Sequence, residues 1–364
     1  MLHGSPSNRT FSPDLNSLVE YVAINDPAGL KGGMIPLSDI SWQAQSWQWL
    51  LAHTVNTEAD LRRLLSLAPT ATDVPTDFPL RVPLPYVSRM IAGDPDDPLL
   101  RQALPVAAEL DEVPGFTPDP LRELEFADGD GTMSKYNGRM LIVTTGACAI
   151  NCRYCFRRSF PYAEHQPDKA AWDAIIARIA ADSSIHEIIL SGGDPLVLND
   201  QHLARVVGAL DQIPHLTTLR IHTRLPVVIP QRVCPALLDW ATNTRLRVVA
   251  VIHANHANEL DNQVGESLAR LAASGVTLLN QSVLLRGVND SVPALAALSE
   301  RLFAVGVLPY YLHMLDKVAG AAHFDTGETA ARHLIGELRA ELPGYLVPRL
   351  AREVPGARNK TIIA

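Results

Sequence analysis

Leu141-Ile142-Val143-Thr144-Thr145-Gly146-Ala147-Cys148-Ala149-Ile150-Asn151-Cys152-Arg153-Tyr154-Cys155 joins a short apolar, β-branched run to three cysteines within eight residues. The run reads as a buried strand, and Gly146 opens a loop after it. Similar runs recur at 187–191, 218–222, 247–253, 277–283 and 308–312, their starts 46, 31, 29, 30 and 31 residues apart. Between them lie apolar residues at helical spacing: Trp172, Ile175, Ile176 and Ile179; Leu203, Val206, Val207 and Leu210; Leu295, Leu298, Leu302 and Phe303. Strand and helix alternating at about 30 residues is the βαβ rhythm of a parallel sheet. A closed barrel repeats that unit about eight times. Six units here predict a partial (β/α)6 barrel over residues 131–364.

Residues 1–130 read as a helical and irregular N-terminal extension covering one side. Asp39-Ile40-Ser41-Trp42 opens like a helix start, and Thr57-Glu58-Ala59-Asp60 precedes Leu61, Leu64 and Leu65 as a capped second helix. The Pro- and Asp-rich stretch 69–120 is expected to wrap over the barrel without a core of its own.

Composition narrows the class. Of 364 residues 47% are hydrophobic and 19% charged, the balance of a globular enzyme. Lys+Arg is 31 against Asp+Glu 39, a net charge of -8, so no basic excess invites nucleic acid. No apolar run approaches the roughly 20 residues of a membrane span. No signal peptide is visible at the N-terminus, which predicts a cytoplasmic protein.

Active groups of parallel α/β folds gather at the carboxyl ends of strands. Here those ends carry Thr144-Thr145-Gly146, Ser191-Gly192-Gly193-Asp194, His222-Thr223-Arg224, His253, Gln281 and His313. Cys148, Cys152 and Cys155 form C-x3-C-x2-C in the first such loop. Thiolates are soft ligands for iron–sulfur clusters or zinc. A 4Fe-4S cluster bound by three cysteines keeps one iron open. Zinc with a nearby histidine as fourth ligand is the alternative, and three unrelated buried thiols are the remaining one. Cys234 reads as core packing before a helix.

The three-cysteine spacing, with an aromatic before the last cysteine, resembles the radical S-adenosylmethionine (SAM) superfamily. Phe156-Arg157-Arg158, then Ser191-Gly192-Gly193-Asp194-Pro195-Leu196, and Asn280-Gln281-Ser282-Val283-Leu284-Leu285-Arg286-Gly287-Val288-Asn289-Asp290 resemble the lysine 2,3-aminomutases. Asp94-Pro95-Asp96-Asp97-Pro98 and Gly115-Phe116-Thr117-Pro118-Asp119-Pro120-Leu121 belong to the same likeness, which runs from about Trp42 to Lys360. It is greatest to the bacterial branch that makes β-lysine for elongation factor P.

The resemblance implies a TIM-like partial barrel of the radical SAM type. It implies an isomerase that converts L-lysine to (R)-β-lysine, with a 4Fe-4S cluster on Cys148, Cys152 and Cys155, SAM and pyridoxal phosphate. Gly192, Gly193, Asp194, His253 and Gln281 would contact SAM. Lys360 would be the Schiff-base lysine, with Lys135, Tyr136 and Arg224 facing the phosphate or ring. Arg157 would bind the substrate carboxylate bidentately, and Asp316 and Glu353 its ε-ammonium. An external electron donor such as flavodoxin or ferredoxin, and the ligase that attaches β-lysine to elongation factor P, are the implied partners. Read without the resemblance, His253 is a satisfied core histidine, Asp194 a loop cap, Lys135 and Glu353 surface charges, and Lys360 an exposed residue near a terminus. Longer aminomutases place Asp where Glu353 stands and continue well past the lysine, so their subunit contacts are not expected here. Two other readings remain: a catabolic or biosynthetic lysine or glutamate aminomutase, and a non-enzymatic iron–sulfur or zinc protein. Glutamate would not need two acids around its side chain.

Overall fold

A computed structural model describes residues 41–70, 74–128, 130–165 and 167–364. Asp39 and Ile40 of the expected first helix lie outside them. The leader begins with a 3-10 turn at Trp42–Ala44, then α1 (Trp47–Ala52), capped by Ser46, whose hydroxyl accepts Trp49 N–H at 3.2 Å. β1 (Thr54–Val55) follows, then α2 (Glu58–Leu64), capped by Thr57 as expected. β2 (Val82–Pro83) pairs antiparallel with β1 and leads into α3 (Leu84–Val87) and α4 (Pro98–Arg101).

Among the described residues the main sheet has nine strands. β3 (Thr132–Tyr136) pairs antiparallel with β4 (Arg139–Thr145). After β4 come β5 (Glu187–Gly192), β6 (Thr218–Thr223), β7 (Arg247–Ile252), β8 (Thr277–Val283) and β9 (Leu308–His313), each parallel to the one before. β10 (Arg349–Arg352) adds a further parallel strand on β9, and β11 (Thr361–Ile362) folds back antiparallel on β10. The outer strands β3 and β11 do not pair, so the barrel stays open.

The six expected strands are therefore present, flanked by a β3–β4 hairpin and a β10–β11 hairpin that hydropathy did not reveal. β10 and β11 are four and two residues long, too short for a periodic signal.

The crossovers are α5 (Tyr162–His165), α6 (Lys169–Ala181), α7 (Asp200–Asp211), α8 (Leu225–Val228), α9 (Pro235–Thr242), α10 (Asn262–Ala273), α11 (Val292–Ala304) and α12 (Glu328–Glu341). Side chains of Asp168, Asn199, Asp261 and Ser291 accept backbone N–H groups at the starts of α6, α7, α10 and α11. The predicted apolar faces are buried, with one correction: Phe303 is 48% exposed and lies against Tyr345.

Strand alternation sorts the two faces of the sheet. On β6, Leu219 and Ile221 join the core shared with α7, while Arg220 turns to the other face and grips Glu187 through two hydrogen bonds of 2.9 and 2.6 Å. Leu50, Leu61, Val82, Tyr86 and Leu99 of the leader pack into the same apolar cluster as Ile188, Leu219 and Val248. Among the described residues no helix is long and apolar enough to cross a membrane.

Candidate active site

The cysteine loop leaves β4 at Thr145 and is braced by the leader. Asn151 N–H donates to the Arg81 carbonyl at 3.0 Å, and Arg153 N–H to the Gln102 carbonyl at 2.9 Å. The Arg153 guanidinium, fully buried, is paired with Glu109. Cys148, Cys152 and Cys155 are free thiols, partly buried. Burial pushes the Cys148 thiol well up, and Cys155 and Cys152 push it further. Burial and Cys152 raise Cys155 to about 11. Burial and neighbouring thiols thus oppose their ionisation, which a bound cation would favour. Among the described residues no three His, Cys, Asp or Glu side chains converge on the position of a single ion. Cys234 lies apart, with its sulfur 3.7 Å from Asp200.

Two of the expected SAM-contact groups do structural work. A Cβ on Gly193 would run into the Ala147 carbonyl. Gly192, at φ +116°, would put one 2.7 Å from the Thr145 carbonyl. Both glycines let β5 close against the cysteine loop, where Asp194 N–H donates to the Ala147 carbonyl at 2.9 Å.

Asp194 is corrected from cofactor contact to bracket. Its Oδ1 accepts Leu196 N–H and the Thr223 hydroxyl, and its Oδ2 accepts the Arg224 and Leu225 N–H groups, at 2.7 to 3.0 Å. Four bonds use the full capacity of a carboxylate. Arg224 is corrected too. Its guanidinium points to the back of the cysteine loop, bonding Cys152 Sγ, Tyr154, Tyr86, Gln102 and Glu259 at 2.7 to 3.0 Å.

The remaining predicted residues converge at the barrel mouth. In the β10–β11 hairpin Arg352 faces Thr361, so Glu353 and Lys360 flank its turn. Lys360 Nζ lies 2.6 Å from Glu353 Oε2 and 22% of its side chain is exposed, so this lysine is not a frayed terminal residue. The turn is pinned further by Ile363 N–H on the Leu350 carbonyl at 2.8 Å.

Lys135 Nζ reaches Glu353 Oε1 at 3.4 Å and Glu123 Oε1 at 3.0 Å. Burial opposes ionisation of Glu353, but Lys360 and Lys135 outweigh it and hold the carboxyl at about 2. Tyr136 is pushed well up, first by burial and then by Glu353. Leu121, Phe126, Lys135, Tyr136 and 353–357 line a small, partly open cleft. Asp316 faces the same charges. Burial and Glu353 raise its carboxyl to about 7 against the pull of Lys360.

Histidines from three strands complete the mouth. Burial depresses His222 and His313 well below their ordinary value, and both lie close enough to Lys360 to be depressed further by it. His222 Nε2 is buried with no hydrogen-bond partner. His253 is held at about 3 by burial and then Arg224, and its ring meets the Tyr154 hydroxyl at 3.2 Å. Gln281 lies half-buried on β8. Arg157 lies at the mouth, but its bidentate edge is taken: Nε and Nη2 donate to Glu123 at 2.5 and 2.9 Å. Glu123 and Glu259 are the two site carboxylates that sequence reading missed. Neither has a local signal, since acidic neighbours such as Glu125 look the same.

The chain matches the model of the radical SAM superfamily over residues 142–241. It is 47% identical to the L-lysine 2,3-aminomutase of Escherichia coli (strain K12) over 322 residues, covering 87% of this chain and 94% of that one. It is 43% identical to the L-lysine 2,3-aminomutase of Haemophilus influenzae over 335 residues, 91% and 99% of the two chains. It is also 43% identical over 324 residues to the enzyme of the same name from Buchnera aphidicola subsp. Baizongia pistaciae, 88% and 95%.

Proposed function

The chain belongs to the L-lysine 2,3-aminomutase family of the radical SAM superfamily, and on that premise we propose a pyridoxal-phosphate-dependent amino shift from Cα to Cβ of L-lysine, giving (R)-β-lysine for elongation factor P. The observation that supports it most is Glu353 paired with both Lys360 and Lys135, beside Tyr136 in the cleft and within electrostatic reach of Asp316. This donor set suits pyridoxal phosphate: Lys360 offers a primary amine, Lys135 a second ammonium for phosphate charge, and Tyr136 a half-buried wall. Cys148, Cys152 and Cys155 suit a 4Fe-4S cluster, because thiolates are its usual ligands and three of them leave one iron open. When bound, the cluster with SAM supplies a hydrogen-abstracting carbon radical, and pyridoxal phosphate a conjugated π system for the migrating nitrogen.

The protein's own part is charge placement. Asp316 takes the substrate's ε-ammonium, which favours its ionised form. Glu353 keeps its negative charge throughout. Lys360 and Lys135 hold it ionised, and Lys360 would offer its amine to pyridoxal phosphate. Arg157 attracts the substrate carboxylate. The leader and the loops after β8 and β9 bury Tyr154, Leu285, Val288 and Phe324 and exclude water from the mouth. An external low-potential donor such as flavodoxin or ferredoxin supplies the electron, and a ligase consumes the product. Four free thiols and that donor support a cytoplasmic setting.

Anaerobic reconstitution with iron, sulfide and pyridoxal phosphate, then L-lysine, SAM and dithionite, tests the proposal. Chiral chromatography should find (R)-β-lysine. Equal turnover of L-glutamate, or lysine turnover indifferent to removal of pyridoxal phosphate, would overturn it. Loss of β-lysylated elongation factor P on deleting the gene, seen by intact mass, tests the destination of the product.

A further inference from the structure

Arg157 has five N–H groups, and the protein already uses four. Nε and one N–H of Nη2 go to the Glu123 carboxylate. Nη1 donates to Ser191 Oγ and the Gly192 carbonyl, both at 3.1 Å. One N–H of Nη2 is left.

Glu123 is aimed at Arg157 by its own turn. Arg122 takes a left-handed φ of +50°, and Asp119 Oδ1 accepts Glu123 N–H at 3.0 Å. The Glu123 carboxylate is buried and shared, with Oε1 also receiving Lys135 at 3.0 Å. Burial alone would raise its carboxyl, but Arg157 and Lys135 bring it below the ordinary value. A carboxylate held by two cations in a dry site does not yield readily to a substrate.

We propose that Glu123 is a positioning residue for substrate recognition: it stays on Arg157, fixes the guanidinium plane, and leaves a single N–H for the substrate carboxylate. This rests on Arg157 being the carboxylate-binding residue. The sequence expectation of a bidentate substrate contact is thereby replaced by a one-point, charge-assisted contact whose direction Glu123 sets. The same carboxylate orients Lys135, so the leader segment that carries Glu123 links both cationic sides of the mouth.

The test compares L-lysine with L-lysinamide, which lacks the carboxylate. Binding is measured by calorimetry on enzyme carrying its cofactors but no reductant, so that no turnover occurs. The native enzyme should prefer lysine by about 10- to 100-fold, the range of one hydrogen bond to a charged group. Arg157→Gln should abolish the preference. Glu123→Gln should shrink it to within about threefold of unity, because the carboxamide NH2 faces an Arg157 donor and the plane is lost. Preference for lysine over norleucine, which is read at the other end of the substrate, should survive both changes.

Glu123→Asp keeps the charge but retracts it by one methylene. It should give an intermediate preference, and it serves as the second variant if the glutamine form does not fold. If Arg157→Gln loses the preference while folded Glu123→Gln and Glu123→Asp keep it in full, Glu123 is only structural and the inference fails. If Arg157→Gln keeps it, the premise about Arg157 fails instead.

Discussion

Replacing Asp316 by Asn should make the enzyme more stable and worse at choosing lysine. The Asp316 carboxyl is raised from 3.8 to about 7, first by burial and then by Glu353. A raised carboxyl holds its proton more tightly in the folded chain than in the unfolded one. Its ionisation therefore costs stability. The cost is absent below the unfolded value, grows from about pH 4, and is complete above about pH 7. Three units correspond to about 4 kcal/mol at pH 8, an upper bound for a buried group. At pH 5.5 the same linkage gives about 2 kcal/mol.

Asp316→Asn should thus gain about 2 kcal/mol more at pH 8 than at pH 5.5, about 3 °C in Tm for a chain of this length. The assay is thermal unfolding of both proteins without lysine or pyridoxal phosphate at the two pH values. Taking the difference between pH values removes any packing effect of Asn itself. The same variant should lose the limb of kcat/KM for lysine that rises near pH 7, since an ε-ammonium gains little from a protonated or amidated partner. A stability difference that does not change between pH 5.5 and pH 8 would refute the assignment of Asp316 as a strained, ammonium-seeking carboxyl.

Four further outcomes follow from the site. Cys148→Ala, Cys152→Ala and Cys155→Ala should each lose the iron–sulfur absorbance and SAM cleavage, whereas Cys234→Ala, 3.7 Å from Asp200 and outside the loop, should lose neither. Lys360→Ala should abolish pyridoxal phosphate absorbance while the iron content stays native. Its stability cost should be about 1–3 kcal/mol, moderate because the lysine is partly exposed and Lys135 remains beside Glu353. Truncation after Asn359 should do the same and also free β10 from β11, measurable as faster amide exchange at Leu350. Gly193→Ala should cost about 2–3 kcal/mol and lower the iron content, because the new methyl pushes on the Ala147 carbonyl in the cysteine loop. Native iron content and stability in that variant would contradict the close approach.

Much of the architecture was legible in the chain. The 30-residue rhythm, the Thr57 cap and the buried faces of α6 and α7 are local patterns. Local patterns survive folding because each strand and helix buries one face wherever it lies. The three cysteines lie within eight residues of sequence, so their chemistry could be read directly. Family likeness carried the reading to Lys360, which by position alone looked like a frayed end.

Only the tertiary structure decided how the charges pair. Arg157 meets Glu123 across 34 residues of sequence, and Lys135 meets Glu353 across 218. Asp194 became a bracket, and Arg224 turned behind the cysteine loop, because the ends of β5 and β6 bring them side by side. A carboxylate in the sequence carries no mark of its partner. In a low-dielectric mouth, which cation lies within hydrogen-bond reach determines whether it ionises near 2, as Glu353 does, or near 7, as Asp316 does. Distance between side chains is a property of the folded sheet, and the order of residues along the chain does not contain it.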